Sequence, residues 1–314
     1  MAVVAPARQA PLTLAPPPAR RKWLNAISWR NPWRKPLVLG SVVWLYLIWS
    51  IAPIALAILF SFNAGKSQSV WQGFSTQWYV GNSSSVWGDP SLHQAFWQTI
   101  RLAGYTTLVA TPVGVLFAIG VSRWLSRWAK ALNFVMIFSF VMPELIFAFA
   151  LFFVFTQLFS FIHLGTLAQF LALVVWNISW SAIIVAARLV SIGSDYEEAA
   201  ADLGASRFES LRRVLFPLLY PAIFVSAVLI FAGVIDDFVM VDFLSSTGPT
   251  QTMAVAIYSS TRGGANGPAL NALATIMLGL SLVVIVLGYF AYRIMTRGER
   301  GASSHDALKT IGGM

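Results

Sequence analysis

Four carboxylates fall in or at the end of long apolar runs: Glu144, Asp236, Asp237 and Asp242. Ionisable groups in such runs are expensive to keep and are candidates for function. Glu144 lies about 12 residues into its run, about 18 Å along a helix, which is near the middle of a bilayer. Pro143, just before it, frees a backbone carbonyl and predicts a kink. Two readings fit Glu144: a carboxylate facing a cation path, or a hydrogen-bonded group locking two helices together. Asp236 and Asp237 stand about 18 residues, about 27 Å, from the start of theirs, at the mouth of a cavity. Adjacent helical residues point about 100° apart, so one of the pair faces the path and the other meets a neighbouring helix or loop. Asp242 falls at the loop beyond. An acidic mouth concentrates polycations.

Other chemistry is missing its parts. The sequence has no cysteine, hence no thiolate nucleophile or ligand. Its three histidines, His93, His163 and His305, show no metal-ligand spacing. No serine nucleophile assembles with a base, so no catalytic residue, metal or cofactor is expected. A Gly-x-x-x-x-Gly-Lys-Ser/Thr loop is absent, so a transporter built on this chain draws ATP hydrolysis from a separate subunit. A membrane-embedded enzyme would act without partners. A secondary transporter fits hydropathy alone, but internal repeats of the kind such folds show are not visible.

The polar stretch from Ser194 to Pro217 carries the densest local signals. Ser194 with Glu197, and Ser206 with Glu209, have capping-box spacing. Gly204 suits a helix C-cap and Pro217 the start of a following helix. The spacing predicts two short helices with a sharp bend between them. The first is acidic with Ala199, Ala200 and Ala201, small side chains that let another protein approach the backbone. The second puts Phe208, Leu211 and Leu215 on one side, with Arg212 and Arg213 free for lipid or a partner. From the caps alone, an ordinary interfacial loop fits equally well.

The elements that must hold these residues are membrane helices. Hydrophobic residues make up 57% of the 314, charged residues only 11%, against about 25% charged in soluble domains. Six runs reach the roughly 20 residues a span needs: about 37–62, 96–121, 132–158, 167–189, 218–243 and 270–292. The fold class expected is therefore all-α with six transmembrane helices. The net charge is +9, but the basic residues cluster between apolar runs, which fits loops beside a bilayer and not a nucleic-acid footprint. Only Lys66, Arg101 and Arg262 fall on one side; the rest fall on the other, which by the positive-inside rule is cytoplasmic and holds both termini. Residues 1–36, rich in Pro, Ala, Arg and Lys, read as a disordered basic cytoplasmic tail without a cleavable signal. The membrane domain covers 37–293 and a second cytoplasmic tail 294–314. Residues 63–95 carry Trp71, Phe74, Trp78, Tyr79 and Trp87, rings expected at the outer headgroup level or on an external partner.

The offsets in the polar stretch are distinctive. Glu198-Ala199-Ala200, three residues, Gly204, nine residues, Val214 and Phe216-Pro217 closely resemble the EAA signature of ABC importer permeases. The usual pattern has Ile at Val214 and Leu at Phe216, both still apolar here. In that family the loop is a coupling helix seated in an ATPase groove. The resemblance therefore implies an ATPase-contacting set of Glu197, Glu198, Ala199, Ala200, Asp202, Leu203, Gly204, Ser206 and Pro217. It implies as partners a second homologous permease, two cytoplasmic ATPase subunits and an extracytoplasmic substrate-binding protein. The likeness covers roughly 40–293 and is closest to spermidine/putrescine-type second permease subunits, on Met142-Pro143-Glu144, Asp236-Asp237-Phe238-Val239 and Asn271-Ala272-Leu273-Ala274-Thr275. It departs at Asp242 to Gly248, where relatives often read Phe-Phe-Thr-Ser-Gly, and at Pro268-Ala269-Leu270, where they commonly carry Pro-Glu. A polyamine is the implied cargo, with iron or another small solute as the alternative.

Overall fold

The structure, a computed structural model, describes residues 37–67, 70–123, 126–246, 250–262 and 267–296. The tail expected over 1–36 and nearly all of that over 294–314 lie outside the described residues. The chain divides into two compact units, 1–56 and 57–314. The first contains most of α1, Leu37–Ser61, an uncharged helix that continues through Pro53.

The second unit holds α2 (Pro90–Arg123), α3 (Arg127–Val141), α4 (Glu144–Phe153), α5 (Thr166–Ile192), α6 (Asp195–Asp202), α7 (Arg207–Ser210), α8 (Phe216–Asp236), α9 (Val239–Phe243), α10 (Met253–Arg262) and α11 (Pro268–Met295). Single π-helical turns, Val154–Leu158 and Leu211–Leu215, follow α4 and α7. Among the described residues, regular structure is otherwise limited to one antiparallel bridge, Asn63 with Phe74.

Among the described residues five helices are long and apolar enough to cross a membrane, and α3 with α4 and its π turn makes a sixth candidate bent by 107°. The single kinked span expected over 132–158 is thus a broken one. Met142 is extended (ψ 134°), as a residue before proline prefers, and Pro143 is extended too (ψ 129°). The helix restarts when Ile146 and Phe147 donate to the Pro143 carbonyl. The fifth span also ends early. It was expected to reach Phe243, but α8 stops at Asp236 and Asp237 turns extended, with ψ 117°. The 100° argument for Asp236 and Asp237 therefore fails, because the two are not on one helix.

The centre of the second unit is α2, α5 and α8, with α11 against α8. Helices in lipid gain little from hydrophobicity and pack by close contact of small residues. Here Ala103, Ala110 and Ala118 of α2 and Ala168, Ala172 and Ala182 of α5 are buried. Gly114 is the tightest point: a Cβ there would stand 2.5 Å from the Ser181 side chain and 2.8 Å from the Ile178 carbonyl. Ser181 Oγ donates to the Thr111 carbonyl at 3.1 Å, bracing α2 beside its internal Pro112.

Residues 62–89 fold on themselves. Trp78 is buried and its Nε1 donates to the Asn63 carbonyl at 2.6 Å, while Phe62 stacks on Phe74 and Tyr79. Of the rings expected at the outer surface, Trp71, Phe74 and Trp87 are exposed, whereas Trp78 is a core residue. At the end of this segment Ser91 N and Oγ donate to Asp89 at the start of α2, holding that carboxyl below its usual range.

Candidate functional site

The polar stretch folds as two short helices with a sharp bend, as its spacing predicts. Gly193, with φ +72°, ends α5. Acidic residues Asp195, Glu197 and Glu198 fill the first turn of α6, where the helix dipole favours them. Gly204, with φ +83°, ends α6 in a Schellman turn: Ala205 N donates to the Ala200 carbonyl and Gly204 N to that of Ala201. Ser206 then opens α7 with a complete capping box. Glu209 N donates to Ser206 Oγ at 3.3 Å, and Ser206 N to the Glu209 carboxylate at 3.0 Å. The chain runs on through the π turn into α8, with Phe216 N donating to the Leu211 carbonyl. Pro217 occupies the start of α8, where its missing N–H matters least.

Three local expectations need correction. Ser194 makes no cap; its Oγ donates to Glu198 at 2.6 Å. Glu197 cannot complete that box because it is engaged by Arg123 at the end of α2. Nε and Nη2 of Arg123 reach Glu197 Oε1 at 3.1 and 3.0 Å, and Nη2 also donates to the Gly193 carbonyl at 2.8 Å. Phe208 does not join Leu211 and Leu215 in the interior; it is exposed, because the π turn shifts the helical phase between them.

The loop thus presents Glu198, Ala199, Asp202, Leu203, Gly204, Ser206 and Phe208 outward, while Ala200 is buried and Glu197 and Ala205 are partly covered. Leu203 is 90% exposed, unusual for a leucine on a polar turn. Behind the loop lies a cavity of about 430 Å³, lined by the Arg123–Glu197 pair, Ile119, Arg207 and the apolar side of the π turn.

The intramembrane carboxylates lie at the other end of α8, about 30 Å from the loop. Glu144 is the first residue of α4 and is half-buried. The helix it opens, α4, packs along α9, with Phe149 edge-on to Phe243 at 6.1 Å. Asp237 accepts the Met240 N–H at 3.1 Å and so starts α9. Asp236 goes elsewhere, accepting from Ser281 of α11 at 3.4 Å. Asp242 is exposed. Glu144 thus opens α4 and Asp237 leads into α9, which packs against it, while Asp236 turns to α11. Among the described residues no cluster of His, Asp or Glu has the form of a metal site.

Buried amides, not carboxylates, organise this end. Gln169 of α5 is fully buried, and its Nε2 donates to the carbonyls of Val241 and Thr250 and to Ser245 Oγ. Gln98 of α2 donates to Gln169 Oε1 and Thr166 Oγ1, and the neighbouring Thr99 accepts the Met253 N–H at 2.9 Å. The signal was present in the sequence, since an amide within an apolar run has to find partners, but only charged groups were weighed.

Residues 110–301 match the family described as "Binding-protein-dependent transport system inner membrane component". The putrescine transport system permease protein PotI of Escherichia coli K12 is 31% identical over 276 residues, 86% of this chain and 93% of the relative. The spermidine/putrescine transport system permease protein PotC of the same strain is 33% identical over 250 residues, 79% of this chain and 91% of the relative. A solved chain of a bacterial ABC transporter that imports the polysaccharide alginate superposes with a TM-score of 0.67 at 17% identity, covering 83% of this chain and 95% of that one; it shares the fold. On these matches the chain belongs to the binding-protein-dependent transport permeases, the inner-membrane components of ABC importers.

Proposed function

We propose that this chain is one of two homologous permease subunits of an ATP-driven polyamine importer, working with two cytoplasmic ATPase subunits and an external binding protein. The permease domain is 37–293, and both termini and the Ser194–Pro217 loop face the cytoplasm. Closure of the ATPases on ATP moves that loop, through contacts at Glu198, Leu203 and the Gly204 turn. The spans then open outward and accept a cation from the binding protein. What supports the substrate class is that Glu144 opens α4 and Asp237 leads into α9, two helices that pack together beyond the end of α8 opposite the loop, in a chain whose relatives are putrescine and spermidine permeases. Two carboxylates at a broken span supply the counter-charge a di- or triamine needs.

The test is uptake of labelled putrescine and spermidine by the reconstituted complex. ATP-dependent uptake is expected, reduced at least tenfold by Glu144→Gln and by Asp237→Asn. A complex that hydrolyses ATP but moves neither amine rejects the substrate class. Unchanged uptake in both Asp236→Asn and Asp237→Asn, at normal assembly, rejects the acidic path.

A further inference from the structure

We propose that α2 is the strut that carries motion from the Ser194–Pro217 loop to the opposite end of the bundle, with Arg123 as the positioning residue at its loop end. The inference rests on reading that loop as the ATPase-docking element. Between Gln98 and Arg123, α2 spans about 38 Å, and both of its ends are fastened by polar side chains to segments distant in sequence.

At the loop end, Arg123 engages the Glu197 side chain and the Gly193 carbonyl at once. Glu197 stands in the first turn of α6 and Gly193 is the residue that ends α5. One guanidinium therefore grips both sides of the joint between α5 and α6. The contact is partly buried, and a charge-assisted guanidinium fork holds direction as well as distance. A displacement of α6 therefore reaches α2 directly through the guanidinium as well as along the backbone through Gly193.

At the far end, Gln98 and Thr99 leave the same helix towards two targets. Gln98 holds Gln169, which in turn grips Val241, Ser245 and Thr250. Thr99 receives the N–H of Met253, the first residue of α10. The segment that follows the break after Asp236 is thus held by Gln169 of α5, itself bonded to Gln98 of α2, and by Thr99 of α2. Along its length α2 is braced against α5 by the Gly114 contact and the Ser181 hydrogen bond. Arg123 thus gives a push on α6 a path along α2 to Met253 and, by way of Gln98 and Gln169, to residues 241–250.

The experiment uses the assembled complex with one reporter cysteine, Ser246→Cys, in a chain that has no cysteine of its own. Ser246 is exposed in the segment that Gln169 holds. The rate of maleimide labelling at position 246 is measured with and without a non-hydrolysable ATP analogue. With Arg123 intact, nucleotide changes the rate at least threefold. Arg123→Ala reduces that response to less than half, while the ATPase subunits still co-purify. The exchanged pair, Arg123→Glu with Glu197→Arg, recovers at least half of it, which a purely structural loss would not do. A full response in Arg123→Ala overturns the proposal. So does loss of the ATPase subunits in both Arg123→Ala and the exchanged pair, because Arg123 then shapes the docking loop and nothing more. Gly204→Val separates the underlying reading: if that variant keeps its ATPase subunits and its nucleotide response, the docking assignment fails on its own account.

Discussion

At the scale of single residues, the loop depends on backbone conformation more than on side-chain chemistry. Gly204 sits at φ +83° with nothing within 4 Å of where a Cβ would stand. Alanine there meets no steric obstacle, so its whole penalty is the left-handed conformation, about 1–2 kcal/mol. That is roughly a 5- to 30-fold shift in the population of the Schellman turn. Gly204→Ala is expected to weaken co-purification of the ATPase subunits by about that factor, and Gly204→Asn by less, because asparagine tolerates the left-handed region. Equal losses for the two would show that the turn is not what matters. The same scale explains a misreading. Ser194 and Glu197 have capping-box spacing, yet Glu197 is taken by Arg123, 74 positions away in sequence. Local spacing states which bonds are available, and tertiary competition decides which forms. At Ser206 and Glu209 the box closes as read.

At the scale of elements, the long helices were legible because their apolar runs exceed the bilayer thickness. The interruptions were legible only in part. Pro143 announced a break, but the 107° turn depends on both Met142 and Pro143 taking extended geometry. The break after Asp236 and the helix α10 carried no comparable mark, since 253–262 is short, polar on one side and ends at Arg262. What joins the elements was least legible, because pairing of Gln98 with Gln169 or of Gly114 with Ser181 needs the packed helices to exist first. Two glycines of α2 test that packing. Gly114→Ala drives a methyl group into the Ser181 side chain and the Ile178 carbonyl, and overpacking of this kind costs about 1–3 kcal/mol. Gly120 has nothing within 4 Å, so Gly120→Ala adds helix propensity, up to about 1 kcal/mol, without a clash. Thermal unfolding in detergent is expected to move down for the first and stay level or rise for the second. A matching loss in both would place the α2–α5 contact elsewhere.

At the scale of the whole molecule, transport by this chain requires two ends with different tasks, and orientation decides which faces the cell interior. The basic residues favour one answer: Arg123, Arg127, Lys130, Arg188, Arg207, Arg212 and Arg213 all stand at the loop end. The segment 62–89, with Lys66 as its one basic residue, stands at the other. The absence of native cysteine makes the chain a clean background for single thiols. Ser84 and Leu203 are exposed at the two ends. With a membrane-impermeant maleimide, Ser84→Cys should label in intact cells, and Leu203→Cys only once the cytoplasmic side is opened. The second half is the more demanding. If Leu203→Cys labels in intact cells, the loop faces outward and cannot meet a cytoplasmic ATPase, and the positive-inside assignment falls with it. If instead Leu203→Cys labels in opened membranes lacking the ATPase subunits and becomes protected when they are present, the most exposed leucine of the loop is buried by the partner it is proposed to receive.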